Sequence, residues 1–295
     1  MLYLLFVSIL WAFSFGLIKG VLTGIDPFFV SFLRILLSLL VFLPFLKKKQ
    51  VDRKTTWQLF FIGMLQYGLM YIAYIYSFNF LKAYEVALFT IFTPLYVALW
   101  YDITRKKISW LNILTAILAI LGTAIVVWQD IERSNFWMGF LIMQISNIAF
   151  AIGQVQYKRI MQKQPAVRDA HVFGFLYMGG VALTLLSSLI FTDWANLTLS
   201  NTQWLTLLYL GVVASGVGFF IWNVGARKAS VGALAIFNNL KIPLATAVSL
   251  LFFGESTDWR SLLLGGLIVL ISLFINEILR RKQTMRLSTN EQTFP

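Results

Sequence analysis

Cysteine is absent from this 295-residue chain and histidine occurs once, so disulfides, thiol chemistry and Cys/His metal sites have almost nothing to be built from. Charge is scarce too: 12% of residues are charged, where a soluble domain carries about a quarter. Scarcer still are acids at depth, since no Asp or Glu falls in the central third of any long apolar run. Proton-coupled exchange of cationic drugs ordinarily needs such a carboxylate, which disfavours that activity. No nucleophile–base cluster, phosphate loop or metal-ligand spacing is present, which argues against an enzyme and calls for no cofactor and no metal. The formal charge of +12 invites a nucleic-acid partner, but the basic residues sit in short clusters between apolar runs, where membrane topology explains them instead.

What the chain has is apolar surface. Hydrophobic residues make up 59%, aromatics 16%, and the mean hydropathy is +0.78. Runs of about twenty apolar residues recur throughout, enough at 1.5 Å per residue to cross a hydrocarbon core of about 30 Å. They predict an all-α polytopic membrane protein with ten spans, near Leu2–Val21, Pro27–Phe45, Trp57–Asn79, Tyr84–Tyr101, Ile108–Trp128, Phe136–Tyr157, Ala170–Phe191, Trp204–Ala226, Ser230–Phe253 and Trp259–Leu279. Met1 to Trp11 carries no basic n-region and no small-residue cleavage site, so the first span is expected to be retained. Placing the amino terminus in the cytoplasm puts Lys47–Lys49, Arg105–Lys107, Lys158, Arg159, Arg227, Lys228 and Arg280–Lys282 inside, with only Lys19, Lys82, Arg133 and Arg260 outside. Both termini are therefore expected on the cytoplasmic side.

The halves align on each other. Trp57 matches Trp204, the run from Lys82 to Leu88 matches that from Lys228 to Leu234, Pro94 matches Pro243, and Trp110 matches Trp259. Five spans is an odd number, so equivalent helices would cross in opposite senses, the inverted-repeat plan of many secondary transporters. The expected units are residues 1–129 and 136–282, followed by a disordered tail at 283–295.

With Trp11-Ala12-Phe13-Ser14-Phe15 in the first span, Phe32-Leu33-Arg34 in the second, Lys228-Ala229-Ser230 before the ninth and Phe253-Gly254-Glu255 closing it, the chain resembles the drug/metabolite transporter superfamily, in its EamA-type ten-helix branch. The first half departs from the pattern, with Lys106 before Trp110 where the second has Glu255 before Trp259. The resemblance implies secondary transport, often export, of small metabolites such as amino acids, amines or carboxylates across a bacterial inner membrane.

Residues at membrane depth are the candidates for a site. Lys241, two residues before the helix-breaking Pro243, either meets a substrate carboxylate or caps carbonyls that Pro243 frees. Arg34, about eight residues into the second span, is assigned a structural or gating role, bonding carbonyls at a helix break or pairing with an acid such as Glu255; direct substrate contact is the alternative. Tyr67, Tyr71 and Tyr74 share one helical face, as do Ser215, Phe219 and Trp222 in the second half, and across a pseudo-two-fold they would wall an aromatic cavity. Helix packing accounts for the same pattern. Trp11, Ser14, Thr90, Asn147, Gln154 and Asn238 supply polar groups that either line the cavity or bind neighbouring helices, and Pro94 and Pro243 are the expected bending points. The resulting expectation is alternating-access transport of a small organic metabolite, with the lipid bilayer as the other partner and monomer or homodimer left open. Nucleoside-like or drug-like cargo, and a non-transporting scaffold or lipid-handling role, remain as alternatives.

Overall fold

The computed structural model describes residues 2–105 and 135–228, together with residues 121, 125, 237, 242, 244, 245, 248, 249, 251–254, 260, 264, 267, 268, 271, 274 and 278. Of the ten expected spans, the fifth, ninth and tenth fall largely outside these residues, and so do Asn238, Lys241, Pro243 and Glu255. Among the described residues the fold is all helical and holds seven helices long and apolar enough to cross a membrane.

These seven coincide with the other seven expected spans. They are α1 (Leu2–Val21), α2 (Pro27–Phe42), α3 (Arg53–Ser77), the fourth span divided into α4 (Ala83–Phe89) and α5 (Phe92–Arg105), α6 (Phe136–Gln162), α7 (Phe173–Phe191) and α8 (Asn201–Lys228). Local chemistry sets their ends. Asp26 caps α2 by accepting from the Phe29 N–H at 2.8 Å, with Pro27 at the first helical position, where a missing N–H costs nothing. Asp52 caps α3 through Thr55 at 3.1 Å, which starts that helix four residues before Trp57. At α8, Ser200 and Gln203 form a reciprocal capping box.

Small residues bring α3 and α7 together. A Cβ on Gly179 would lie 1.9 Å from the Phe60 carbonyl oxygen, and one on Gly63 would lie 1.9 Å from that of Leu176, so the two backbones touch where neither helix has a side chain. Outward-facing positions such as Leu186, Leu189, Ile190, Leu205 and Leu208 are exposed and apolar, as a lipid-facing surface requires.

Two irregularities prepare the centre. α4 stops at Phe89, because Pro94 has no N–H to give Thr90 and its ring crowds that carbonyl. Thr90 O accepts from Thr93 N–H instead, at 3.0 Å, which leaves Phe89 O without its helical donor. In α3 and α8, residues Met64–Leu69 and Leu210–Val217 widen into π-turns, marked by i to i+5 bonds such as Met70 N–H to Leu65 O and Gly218 N–H to Val213 O. Each π-segment bears the residue that the alignment of the halves pairs, Tyr67 in one and Ser215 in the other.

Candidate functional site

The widened turn in α8 turns its carbonyls outward, and side chains from three other helices take them. Ser38 of α2 donates to Gly211 O at 2.8 Å and Trp11 of α1 to Ala214 O at 2.9 Å. Tyr177 of α7 donates to Ser215 O and Gly216 O at 2.8 and 2.9 Å. In α3, Ser146 and Ser31 donate to Met70 O and Tyr71 O in the same manner, at 3.1 and 3.2 Å. At the break between α4 and α5, Asn147 Nδ2 donates to the stranded Phe89 O at 2.8 Å while its Oδ1 accepts from Thr93 at 3.1 Å. Irregular backbone at membrane depth is tolerable only with such partners, or where it faces a cavity. Here both conditions hold.

The space at the centre is a partly open cavity of about 60 Å³, smaller than a typical small-molecule site, so cargo would need the surrounding helices to part. Trp11, Ser14 and Phe15 come from α1, Arg34 from α2, Met70, Tyr71 and Tyr74 from α3, Thr90 and Thr93 from the break, Met143, Ser146, Asn147 and Phe150 from α6, and Phe219 from α8. No carboxylate stands among them.

Arg34 dominates its electrostatics. The side chain is 2% exposed. Nε and Nη2 donate to Ser215 Oγ at 3.3 and 3.0 Å, Nη2 also approaches the Tyr71 hydroxyl at 3.4 Å, and the guanidinium carbon sits 4.9 Å from the Tyr71 ring centroid. Tyr71 in turn donates to Ser215 Oγ at 2.6 Å, and Ser215 donates to Leu210 O at 2.7 Å. Nη1 is buried and makes no hydrogen bond, and no acid forms an ion pair with Arg34 among the described residues. A desolvated cation with an unmet donor is costly unless something anionic meets it. Opposite, the Tyr74 hydroxyl makes no hydrogen bond among the described residues, and its ring stands edge-on to Phe15 at 5.9 Å.

The sequence candidates therefore divide. Trp11, Ser14, Tyr71, Tyr74, Thr90, Asn147 and Phe219 stand on the cavity wall, and so does Arg34, for which sequence reasoning favoured a structural role. Tyr67, Gln154, Ser215 and Trp222 do not line it. Tyr67 and Trp222 are fully buried one turn further along, the first accepting from Asn223 at 2.7 Å and the second donating to Gln154 Oε1 at 3.4 Å. Pro94 lies just past the break it causes. Met70, Met143, Phe15 and Phe150 were not singled out from sequence, because nothing in an apolar run distinguishes a cavity-facing methionine or phenylalanine from a lipid-facing one. Ser146 neighbours Asn147 and could have been found had the polar face of α6 been drawn one residue wider.

Beyond Phe219 the cavity has a floor. The Trp11 ring packs on Phe219 and Trp222 at 4.6 and 5.0 Å. Below it lie Gln66, Asn223 and Gln154, all buried, and then Tyr157, which donates to Asp169 at 2.5 Å while Arg227 pairs with the same carboxylate at 2.8 Å.

The family model for EamA-like transporters matches residues 1–128 and 137–277. A probable biotin transporter of Pseudomonas aeruginosa is 38% identical over 284 residues, covering 96% of this chain and 99% of its own length. The biotin transporter of Escherichia coli K12 is 36% identical over 278 residues, covering 94% of this chain and 92% of its own. A probable amino-acid metabolite efflux pump of Salmonella typhimurium is 28% identical over 180 residues, covering 58% of this chain and 59% of its own. A solved crystal structure superposes with a TM-score of 0.71 at 17% identity, covering 94% of this chain and 96% of that one, a likeness of fold.

Proposed function

Because this chain belongs to the EamA-like transporter family, it is a multi-pass membrane transporter and not an enzyme, and we propose that its cargo is biotin or a small carboxylate of similar build. The observation that carries the proposal is Arg34 Nη1, a buried donor with no partner, on a residue of a cavity wall that holds no carboxylate among the described residues. A monoanion supplies what that atom lacks. An amino acid or amine would also bring an ammonium, and the described wall offers it aromatic faces but no acid. Biotin combines one carboxylate with a neutral fused ring, which suits a cation at one end and Trp11, Phe15, Phe150 and Phe219 around the remainder. The names of the two long-matching relatives favour the same cargo.

On this reading the protein sits in a bacterial inner membrane with both termini in the cytoplasm, in ten spans forming two inverted repeats at 1–129 and 136–282. Access alternates as the halves rock about the break before Pro94 and its counterpart at Pro243. Asn238, Lys241 and Glu255 lie on the corresponding stretch of the second repeat, where Lys241 is a second candidate for the carboxylate and Glu255 for a structural role. The direction of net transport follows the gradient applied, and export is the direction its superfamily resemblance suggests.

The test pairs a ligand change with a side-chain change in purified protein. Wild type should bind biotin at least thirtyfold more tightly than biotin methyl ester, as expected when a buried charge loses its partner at a cost of about 2–5 kcal/mol. Arg34→Gln should bind both equally weakly. An Arg34→Gln protein that still prefers the free acid by the wild-type factor would remove Arg34 from recognition. Counterflow in liposomes, with biotin loaded on either side, reports the direction.

A further inference from the structure

Gln154 stands between two spaces, behind the wall of one and on the wall of the other. Its Oε1 accepts from Trp222, the indole packed beneath the upper cavity, and its own side chain lines a second cavity of about 140 Å³ at the end of the bundle where α6 and α8 finish. That space is walled by Val97 and Tyr101 of α5, Lys158 of α6 and Ala226 of α8. Gln154 is 2% exposed and its Nε2 makes no hydrogen bond. Gln66, on the facing turn of α3, has an equally orphaned Oε1 and is fully buried. A packed interior does not keep an unmet amide donor and an unmet amide acceptor on one layer without cost. Both would be satisfied by a polar molecule in transit.

We propose that this second cavity is an inner release site for the same carboxylate, separated from the outer cavity by the Trp11–Trp222 floor, with Gln154 as the amide that passes the cargo between them. The assignment rests on the cargo and topology proposed above. Lys158 provides the cation on the inner side, as Arg34 does on the outer. Gln154 Nε2 and Gln66 Oε1 offer one donor and one acceptor, the complement of the acceptor and donors of a cyclic urea. When the floor opens, Trp222 leaves Gln154 Oε1, and the cargo's own N–H takes that place, so the amide exchanges one partner for another without being stranded.

The chain has no cysteine, so single cysteines report each space directly. Ser146→Cys marks the outer cavity and Ala226→Cys the inner one. A membrane-impermeant maleimide applied to sealed vesicles of known orientation should label the first from the periplasmic face only and the second from the cytoplasmic face only. Biotin added on the same side should protect each. Adding Lys158→Gln should raise the biotin concentration needed to protect Ala226→Cys about tenfold and leave protection of Ser146→Cys unchanged. In the cysteine-free chain Gln154→Leu should keep outer-side biotin affinity within twofold and slow counterflow at least tenfold. Protection at Ser146→Cys with none at Ala226→Cys overturns the inner site alone. Labelling of both cysteines from one face overturns the two-compartment arrangement whatever the cargo. Protection at neither overturns both the inner site and biotin as cargo, and outer protection that persists in Arg34→Gln points away from the Arg34 reading only.

Discussion

Ser215 Oγ is small, yet the geometry around Arg34 depends on it. One lone pair faces the guanidinium edge, the other the Tyr71 hydroxyl, and its proton goes to Leu210 O, a carbonyl that the π-turn leaves open. The guanidinium is thus held by its Nε and Nη2 side, and Nη1 is the donor left without a partner. Ser215→Ala keeps the charge but removes that anchor. Its expected effect is a biotin affinity about tenfold weaker, equivalent to about 1.4 kcal/mol, with Arg34 still present to prefer the free acid over the ester. Isothermal binding measures it, and an unchanged affinity would mean that Arg34 is oriented by other contacts. Tyr71→Phe removes only a long 3.4 Å approach and one donor to Ser215, and serves as the milder comparison.

At the scale of elements, close backbone approach fixes the frame and backbone irregularity makes the site. α3 must meet α7 at Gly63 and Gly179 for Tyr67, Tyr71 and Tyr74 to face inward, and at both crossings the atom a methyl group would strike is a backbone carbonyl, which has little freedom to yield. Gly179→Ala is therefore expected to lower the thermal midpoint of the purified protein markedly, through overpacking of about 1–3 kcal/mol or more. Gly24→Ala does not probe this contact, because that glycine meets nothing within 4 Å and is strained by its φ of +94° instead. A Gly179→Ala protein with wild-type unfolding temperature would show that α3 and α7 can part without loss. The break at Phe89 works in the other direction: it exposes carbonyls, and Asn147 and the hydroxyl of Thr93 form the network that compensates.

Across the whole molecule, α3 and α8 share a widened π-turn near their middles. Orientation in the bilayer is a property of the whole chain and has its own test. A reporter that fluoresces only in the cytoplasm, fused after Pro295, should be bright, and a reporter enzyme active only in the periplasm should be silent there. The opposite pattern would reverse the charge-based topology and, with it, the assignment of inner and outer cavities.

What the sequence determined by itself was the class, the positions of the seven described spans and the absence of catalytic chemistry, because length, hydropathy and composition are properties of each segment alone. It also placed Trp11, Tyr71, Tyr74, Asn147 and Phe219 among the candidates, since polar or aromatic groups at membrane depth are few enough to stand out. What only the tertiary structure decided was which of them share a space. A widened turn in α3 or α8 shifts every later residue to another face, so regular helical spacing assigned Tyr67, Ser215 and Trp222 to the wall when their side chains pack behind or beneath it. The burial of Arg34 beside Ser215, a residue of a distant helix, leaves an unmet donor on a cavity-lining side chain, and no local pattern encodes a contact between α2 and α8.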